Sequence, residues 1–119
     1  MTFAGKALGR LGEDRAAEYL EAQGATILDR NWRCNIGELD IVACQGDQLL
    51  VVEVKTRGSV SYGTPLEAIS PRKIRRLRQL AVRWLEARGL HAPRIRFDVI
   101  GIMRESEDTW RLQHVRGLD

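Results

Sequence analysis

The sequence predicts an α/β domain, and three observations carry that expectation. Two stretches repeat apolar residues at helical spacing, and each stops at a glycine, Gly24 and Gly89. Runs rich in Val, Ile and Leu alternate with them, the clearest flanking Gly46-Asp47 as a β-hairpin. The 119 residues suffice for one compact domain with a real core, spanning 1–119, but not for two.

The first helix is expected from about Lys6 to Gln23. Glu13, Ala16, Ala17 and Leu20 fall at i, i+3, i+4 and i+7, and Leu8, Gly12 and Tyr19 extend that side. Glu13 thus occupies a register otherwise given to small or apolar residues. Helical geometry leaves two readings level: a stripe-edge side chain reaching solvent, or a carboxylate aimed at a site on the sheet. Glu18 falls on another, solvated face. Gly9 and Gly12 each weaken the helix by about 1 kcal/mol relative to alanine, so close backbone approach is the expected compensation.

Ala25 to Cys34 reads as the first strand, with Trp32 between Arg30 and Arg33. A half-buried strand tryptophan is the commoner reading there, a base-stacking platform the other. Asn35-Ile36-Gly37 leads into the hairpin. If Gly46 and Asp47 form its loop, Gln45 faces Gln48, and the register carries back through Cys44–Leu49, Val42–Val51, Asp40–Glu53 and Glu38–Lys55. Side chains alternate with period two, so these share one face, apolar near the turn and charged at the far end.

Opposed cross-strand residues have Cβ atoms roughly 5 Å apart. Two carboxylates there repel by about 3 kcal/mol at an effective dielectric near 20. Asp40 facing Glu53 therefore asks for a cation, and a hard divalent ion with oxygen ligands suits it. Lys55, two residues beyond Glu53, would approach a nucleophilic water or a scissile phosphate. The plainer alternative is an exposed sheet end tied by pairs such as Glu38–Lys55.

From Thr56 to Glu67, Gly, Ser and Pro cluster without period, which predicts a mobile loop bordering the charged sheet end. Arg57 and Tyr62 are its candidates for substrate contact. Ser70-Pro71 then opens a second helix running to about Arg88. Ile74, Leu77, Ala81, Trp84 and Leu85 form its inner stripe, and Arg72, Lys73, Arg75, Arg76, Arg78 and Arg83 fill the remainder. Cations crowding a helix N-terminus oppose its dipole, and phosphates nearby would offset that cost. Arg72, Lys73, Arg75 and Arg76 are therefore nucleic-acid candidates, against the ordinary alternative of a solvated face. Arg94 to Ile102 and Trp110 to Val115 read as the last two strands. Asp98 is expected to support a basic neighbour. His91 and His114 look isolated, which gives a Ser/His/Asp triad no footing.

The composition is that of an ordinary globular protein, 44% hydrophobic and 29% charged with net charge +3, acids gathering early and arginines late. That asymmetry suits an anionic partner meeting a site that also holds carboxylates. No apolar run approaches the roughly 20 residues of a membrane span, and the first residues do not read as a signal peptide. A cytoplasmic location without membrane contact is the default expectation. Cys34 and Cys44 lack metal-type spacing and read as reduced thiols.

Asp40 followed on the next strand by Glu53-Val54-Lys55, after a helix carrying Glu13, resembles the PD-(D/E)XK nuclease superfamily of type II restriction enzymes and archaeal Holliday-junction resolvases. More narrowly, Gly9-Arg10-Leu11-Gly12-Glu13, Asn31-Trp32-Arg33-Cys34, Gly37-Glu38-Leu39-Asp40, Val52-Glu53-Val54-Lys55-Thr56-Arg57 and Arg96-Phe97-Asp98-Val99 look like the YraN-type family of small bacterial proteins read as endonucleases. The resemblance implies a restriction-endonuclease-like αβββαβ core, a central mixed β-sheet flanked by helices. It implies that Asp40 and Glu53 bind Mg²⁺ or Mn²⁺, that Lys55 orients or helps deprotonate the attacking water, and that Glu13 completes the site. Leu39 stands where the superfamily's name has proline, a departure tolerated among its relatives.

The functional expectation is a metal-dependent endonuclease acting on DNA more than RNA, branched or structured substrates included. Its rivals are a nucleic-acid-binding module that keeps the fold without catalysis, and a structural domain whose arginines meet a protein. Resolvase-like relatives pair two sites, which leaves a homodimer open.

Overall fold

The computed structural model describes residues 3–58, 69–92 and 94–118. Helix α1 spans Phe3–Ala22 and is followed by strands β1 Thr26–Cys34, β2 Gly37–Gln45 and β3 Gln48–Arg57. Helix α2, Pro71–Arg88, precedes β4 Arg94–Arg104 and β5 Trp110–Val115. The sheet runs β1-β2-β3-β4-β5, antiparallel throughout except for the parallel β3–β4 pair, whose connection carries α2. This is the expected mixed α/β architecture, compatible with an αβββαβ core followed by one further strand. No helix among the described residues is long and apolar enough to cross a membrane.

Each sheet face carries its own core, because inner strands buried on both sides place apolar side chains in both directions. Ala16, Ala17 and Leu20 of α1 pack with Ile41, Ala43, Leu50, Val52, Ile100 and Ile102. On the other face Leu77, Leu80, Ala81 and Trp84 of α2 pack with Leu39, Val42, Leu49, Val51 and Phe97. The α2 stripe is displaced slightly from its expected line. Leu80 is buried, while Ile74 and Leu85 are only half-buried. Leu80 packs beside Gly37, whose φ of +148° is one that a side chain rarely adopts.

Helix α2 begins and ends as the sequence indicates. Ser70 caps it by accepting from the Lys73 N–H at 3.1 Å, Pro71 follows, and Gly89 closes it in the left-handed region at φ 62°. Of Gly9 and Gly12 in α1, only Gly12 shows the close approach. A Cβ there would lie 2.0 Å from Thr56 Oγ1, whereas nothing lies within 4 Å at Gly9.

β3 runs two residues past the expected end at Lys55. Thr56 and Arg57 pair with Ile102 and Met103 of β4, so the parallel neighbour supplies backbone partners where sequence composition suggests a loop. Tyr62 and the rest of the segment 59–68 lie outside the described residues.

Asp98 does support a basic neighbour. It is 0% exposed and takes two bonds from Arg96, at 2.9 and 2.8 Å, plus one from the Gly117 N–H at 3.1 Å. His114 is not isolated. Its Nε2 meets Asp98 Oδ2 at 2.8 Å, and its Nδ1 meets the Tyr19 hydroxyl at 2.9 Å. Sequence spacing could not disclose this, because α1, β4 and β5 meet only through the tertiary fold.

Candidate functional site

The site forms where β2 leaves β3. Their ladder follows the expected register from Gln45–Gln48 through Cys44–Leu49 and Val42–Val51, then ends at Ile41–Val52. Beyond it β2 stays with β1, pairing Leu39 with Trp32, Glu38 with Arg33 and Gly37 with Cys34. The expected outer pairs Asp40–Glu53 and Glu38–Lys55 are therefore not ladder pairs. Glu38 instead meets Arg33 at 3.0 Å, and Lys55 meets Glu53 at 3.4 Å. Asp40 occupies the fork, its Oδ2 accepting the Val54 backbone N–H at 2.8 Å.

A local reversal of side-chain alternation creates the fork. Ile41 faces the α1 core and Leu39, two residues away, faces the α2 core. Regular alternation would put both on one face. β1 changes in step: Arg30 reaches Asp14 of α1 at 2.7 Å, whereas Trp32 packs in the α2 core. Between them Asn31 has φ 54°, the sole positive φ at a non-glycine among the described residues. Asparagine tolerates that region better than any branched residue. Trp32 is thus a half-buried strand tryptophan, as the commoner reading has it.

The reversal distributes the acids around the fork. Glu53, 5% exposed, lies on the α2 side, where Lys73 Nζ reaches its Oε1 at 3.3 Å alongside Lys55 Nζ. Glu38 turns to the α1 side, where its charge acts on Glu13 as well as on Asp40. The expectation that Glu38, Asp40, Glu53 and Lys55 share one face therefore fails for Glu38. Asp40 between them is pushed up to about 7, first by burial and next by the Glu53 carboxylate, with smaller pushes from Glu13 and Glu38. The Val54 N–H pulls the other way.

Glu13 is half-buried, and its charge acts on Asp40. Burial is the main cause that raises its carboxyl, opposed chiefly by a hydrogen bond with Asn31. Its Oε1 is buried with no hydrogen-bond partner among the described residues. An orphaned carboxylate oxygen near a second raised acid, Asp40, is costly unless protonated or given a cation. All-oxygen donors of this kind suit Mg²⁺ or Mn²⁺. Among the described residues, no three His, Cys, Asp or Glu side chains form a ready metal shell. The residues fit a hard cation by donor chemistry and unmet charge, not by a finished cage.

Four arginines of α2 fall into two groups. Arg76 donates to the Ile36 carbonyl at 2.8 Å and Arg83 to Asn35 Oδ1 at 3.1 Å, both holding the β1–β2 turn. Arg72 and Arg75 are exposed on the first turns, beside Lys73. Of the four expected nucleic-acid contacts on this helix, Arg72 and Arg75 stay outward, Arg76 braces the turn and Lys73 enters the acidic site. Arg57, at the end of β3, donates to the Thr56 carbonyl at 3.2 Å. Cys34 and Cys44 are free, half-buried thiols. Sequence reasoning missed Asn31 as a structural determinant and Lys73 as a partner of Glu53. An asparagine within a strand pattern is the one available signal for the first. The second had none.

Residues 12–102 match the family described as "Uncharacterised protein family UPF0102". A UPF0102 protein of Acidothermus cellulolyticus is 51% identical, over 96% of this chain and 94% of its own. Another from Parafrankia sp. is 54% identical, covering 92% and 93% respectively. A third, from Nocardioides sp., is 50% identical over 95% and 91%.

Proposed function

We propose that this chain, which belongs to the UPF0102 family, is a divalent-metal-dependent endonuclease of the PD-(D/E)XK kind that hydrolyses DNA phosphodiesters. One observation carries the reading. Asp40 sits in the β2–β3 fork, its carboxyl raised first by burial and then by the charges of Glu53 and Glu13, with Lys55 on Glu53 and a Glu13 oxygen that has no hydrogen-bond partner among the described residues. A fold built only for stability gains nothing from burying Asp40 between two acids that raise it further.

Asp40, Glu53 and Glu13 are the residues that would hold Mg²⁺ or Mn²⁺. Such an ion, when bound, neutralises phosphoryl charge and makes hydroxide accessible near neutral pH. Lys55 presents an ammonium group beside Glu53, suited to orienting a nucleophilic water or donating hydrogen bonds to a phosphate oxygen. Arg72 and Arg75 offer outward guanidinium groups for flanking phosphates, which position a strand without reading its sequence. The deciding experiment is a cleavage screen of linear, flapped and four-way-junction DNA, and of RNA, with Mg²⁺ and Mn²⁺. Activity that disappears in Asp40→Asn supports the proposal; activity equal in that variant rejects the site.

A second reading has its own support. Two lysines already balance Glu53, which suits a nucleic-acid-binding module that keeps the fork without turnover. That module would bind DNA in a salt-dependent way, cleave none of the substrates, and take up no divalent ion.

A further inference from the structure

We propose that Lys73 is a placeholder for the cation. Its ammonium group occupies Glu53 in the ion-free protein, competes with the incoming divalent ion, and passes to a phosphate once displaced. This inference rests on the metal-site reading above and adds a residue from outside the strand motifs.

Two ammonium groups converge on one oxygen: Lys73 Nζ at 3.3 Å and Lys55 Nζ at 3.4 Å, both from Glu53 Oε1. Glu53 is thus held by two ammonium groups where one would balance it, and either could leave without stripping that carboxylate of its counter-charge. The two lysines differ in their tethers. Lys55 lies two residues along the same strand, inside the β3–β4 ladder through its partner Gly101, and its side chain is 27% exposed. Lys73 arrives from another element and is 36% exposed. Its backbone is fixed by the Ser70 cap at 3.1 Å, leaving a flexible four-carbon stem between a rigid anchor and the acid. Lys73 is therefore the member that can depart.

Where it would go follows from its surroundings. The first turn of α2 contains no acidic residue, and Arg72 and Arg75 beside it are exposed. That turn also lies at the positive end of the helix dipole, which favours an anion. An ammonium released there meets no protein carboxylate on its own turn, and a phosphate is the complementary group. Ion uptake and phosphate binding would thereby favour each other through one side chain, as linkage requires.

The test is calorimetric titration of Mn²⁺, without nucleic acid, into the wild-type protein, Lys73→Met and Lys73→Arg. Lys73→Met is expected to bind Mn²⁺ about fivefold or more tightly than wild type, the least that removing one adjacent unit charge should give. Lys73→Arg, which keeps the charge, should stay near wild type. In parallel, adding Ca²⁺ should tighten binding of a fluorescent DNA duplex to wild type more than to Lys73→Met. Unchanged or weaker Mn²⁺ binding in Lys73→Met overturns the inference and leaves Lys73 as a support that merely orients Glu53. If wild type itself takes up no Mn²⁺, the metal-site reading falls, and this inference with it. Should Lys73→Met melt early, Lys73→Gln carries the same comparison with a polar head retained.

Discussion

The backbone N–H of Val54 donates to the Asp40 carboxylate at 2.8 Å. Had the β2–β3 ladder continued in register, that N–H would have met the Leu39 carbonyl, since exchanged pairs recur every second residue from Gln45–Gln48. A side chain has taken the place of a strand. The substitution gives the Val54 N–H a partner where the sheet opens, and it fixes an acid in the opening.

Asp40→Asn keeps an acceptor for Val54 and removes the charge. It should abolish Mg²⁺-dependent cleavage while leaving DNA binding intact. It should also alter stability with pH. The carboxyl is raised to about 7 in the folded protein from 3.8, so between about pH 4 and 7 the folded state holds a proton that the unfolded chain has lost. Stability from that proton is complete below about pH 4 and is lost as pH rises toward 7. Asp40→Asn, which titrates nowhere, should therefore exceed wild type by roughly 4 kcal/mol at pH 8 and match it near pH 4. Denaturant melts at both pH values measure this, and a constant difference would refute it.

Glu13→Gln relieves a buried acid whose Oε1 has no partner among the described residues. Its expected result is a fold at least as stable as wild type at neutral pH, together with divalent-ion affinity reduced about tenfold, on the order of one ligand's contribution. Loss of stability with unchanged ion binding would make Glu13 structural.

Gly9 and Gly12 of α1 should respond in opposite ways. Gly9→Ala meets nothing within 4 Å and should stabilise the helix by about 0.5–1 kcal/mol. Gly12→Ala drives a methyl group to 2.0 Å from Thr56 Oγ1 and 2.9 Å from its Cβ, so rotating that side chain cannot relieve the clash. A net loss of about 1–3 kcal/mol is expected. Because Thr56 follows Lys55, any cleavage activity should fall with it. Thermal melts of the pair decide the matter.

Arg72→Glu with Arg75→Glu should weaken DNA binding and lower its salt slope by about one for each phosphate no longer neutralised. Arg76→Ala removes a brace on the Ile36 carbonyl, and should act more on stability than on that slope. Anisotropy titrations across a salt series separate the two outcomes. Equal slopes in all variants would return α2 to the status of a solvated surface.

Asp98→Asn should cost about 3–5 kcal/mol, because it strips the countercharge from Arg96 and a partner from His114 at a fully buried position. Despite its burial, bonds from Arg96 and His114 hold the Asp98 carboxyl below its usual range. The stability it gives wild type is therefore present above the unfolded value and lost in acid as pH falls through the folded one. A melt unchanged by the substitution would deny the network that role.

Local sequence determined much of this protein. Period and punctuation placed both helices and all five strands. Gly46-Asp47 set the hairpin register as far as Ile41–Val52, and Ser70-Pro71 and Gly89 bounded α2. These features are decided by neighbours a few residues apart, where turn geometry and side-chain alternation operate. Tertiary structure decided the rest. Alternation reverses at Asn31 and Leu39 because two cores on opposite faces compete for adjacent side chains, and no period-two pattern anticipates that. Which charges meet was likewise settled by packing: Lys73 on Glu53 and His114 on Asp98 join elements whose separation along the chain carries no information about their distance in space.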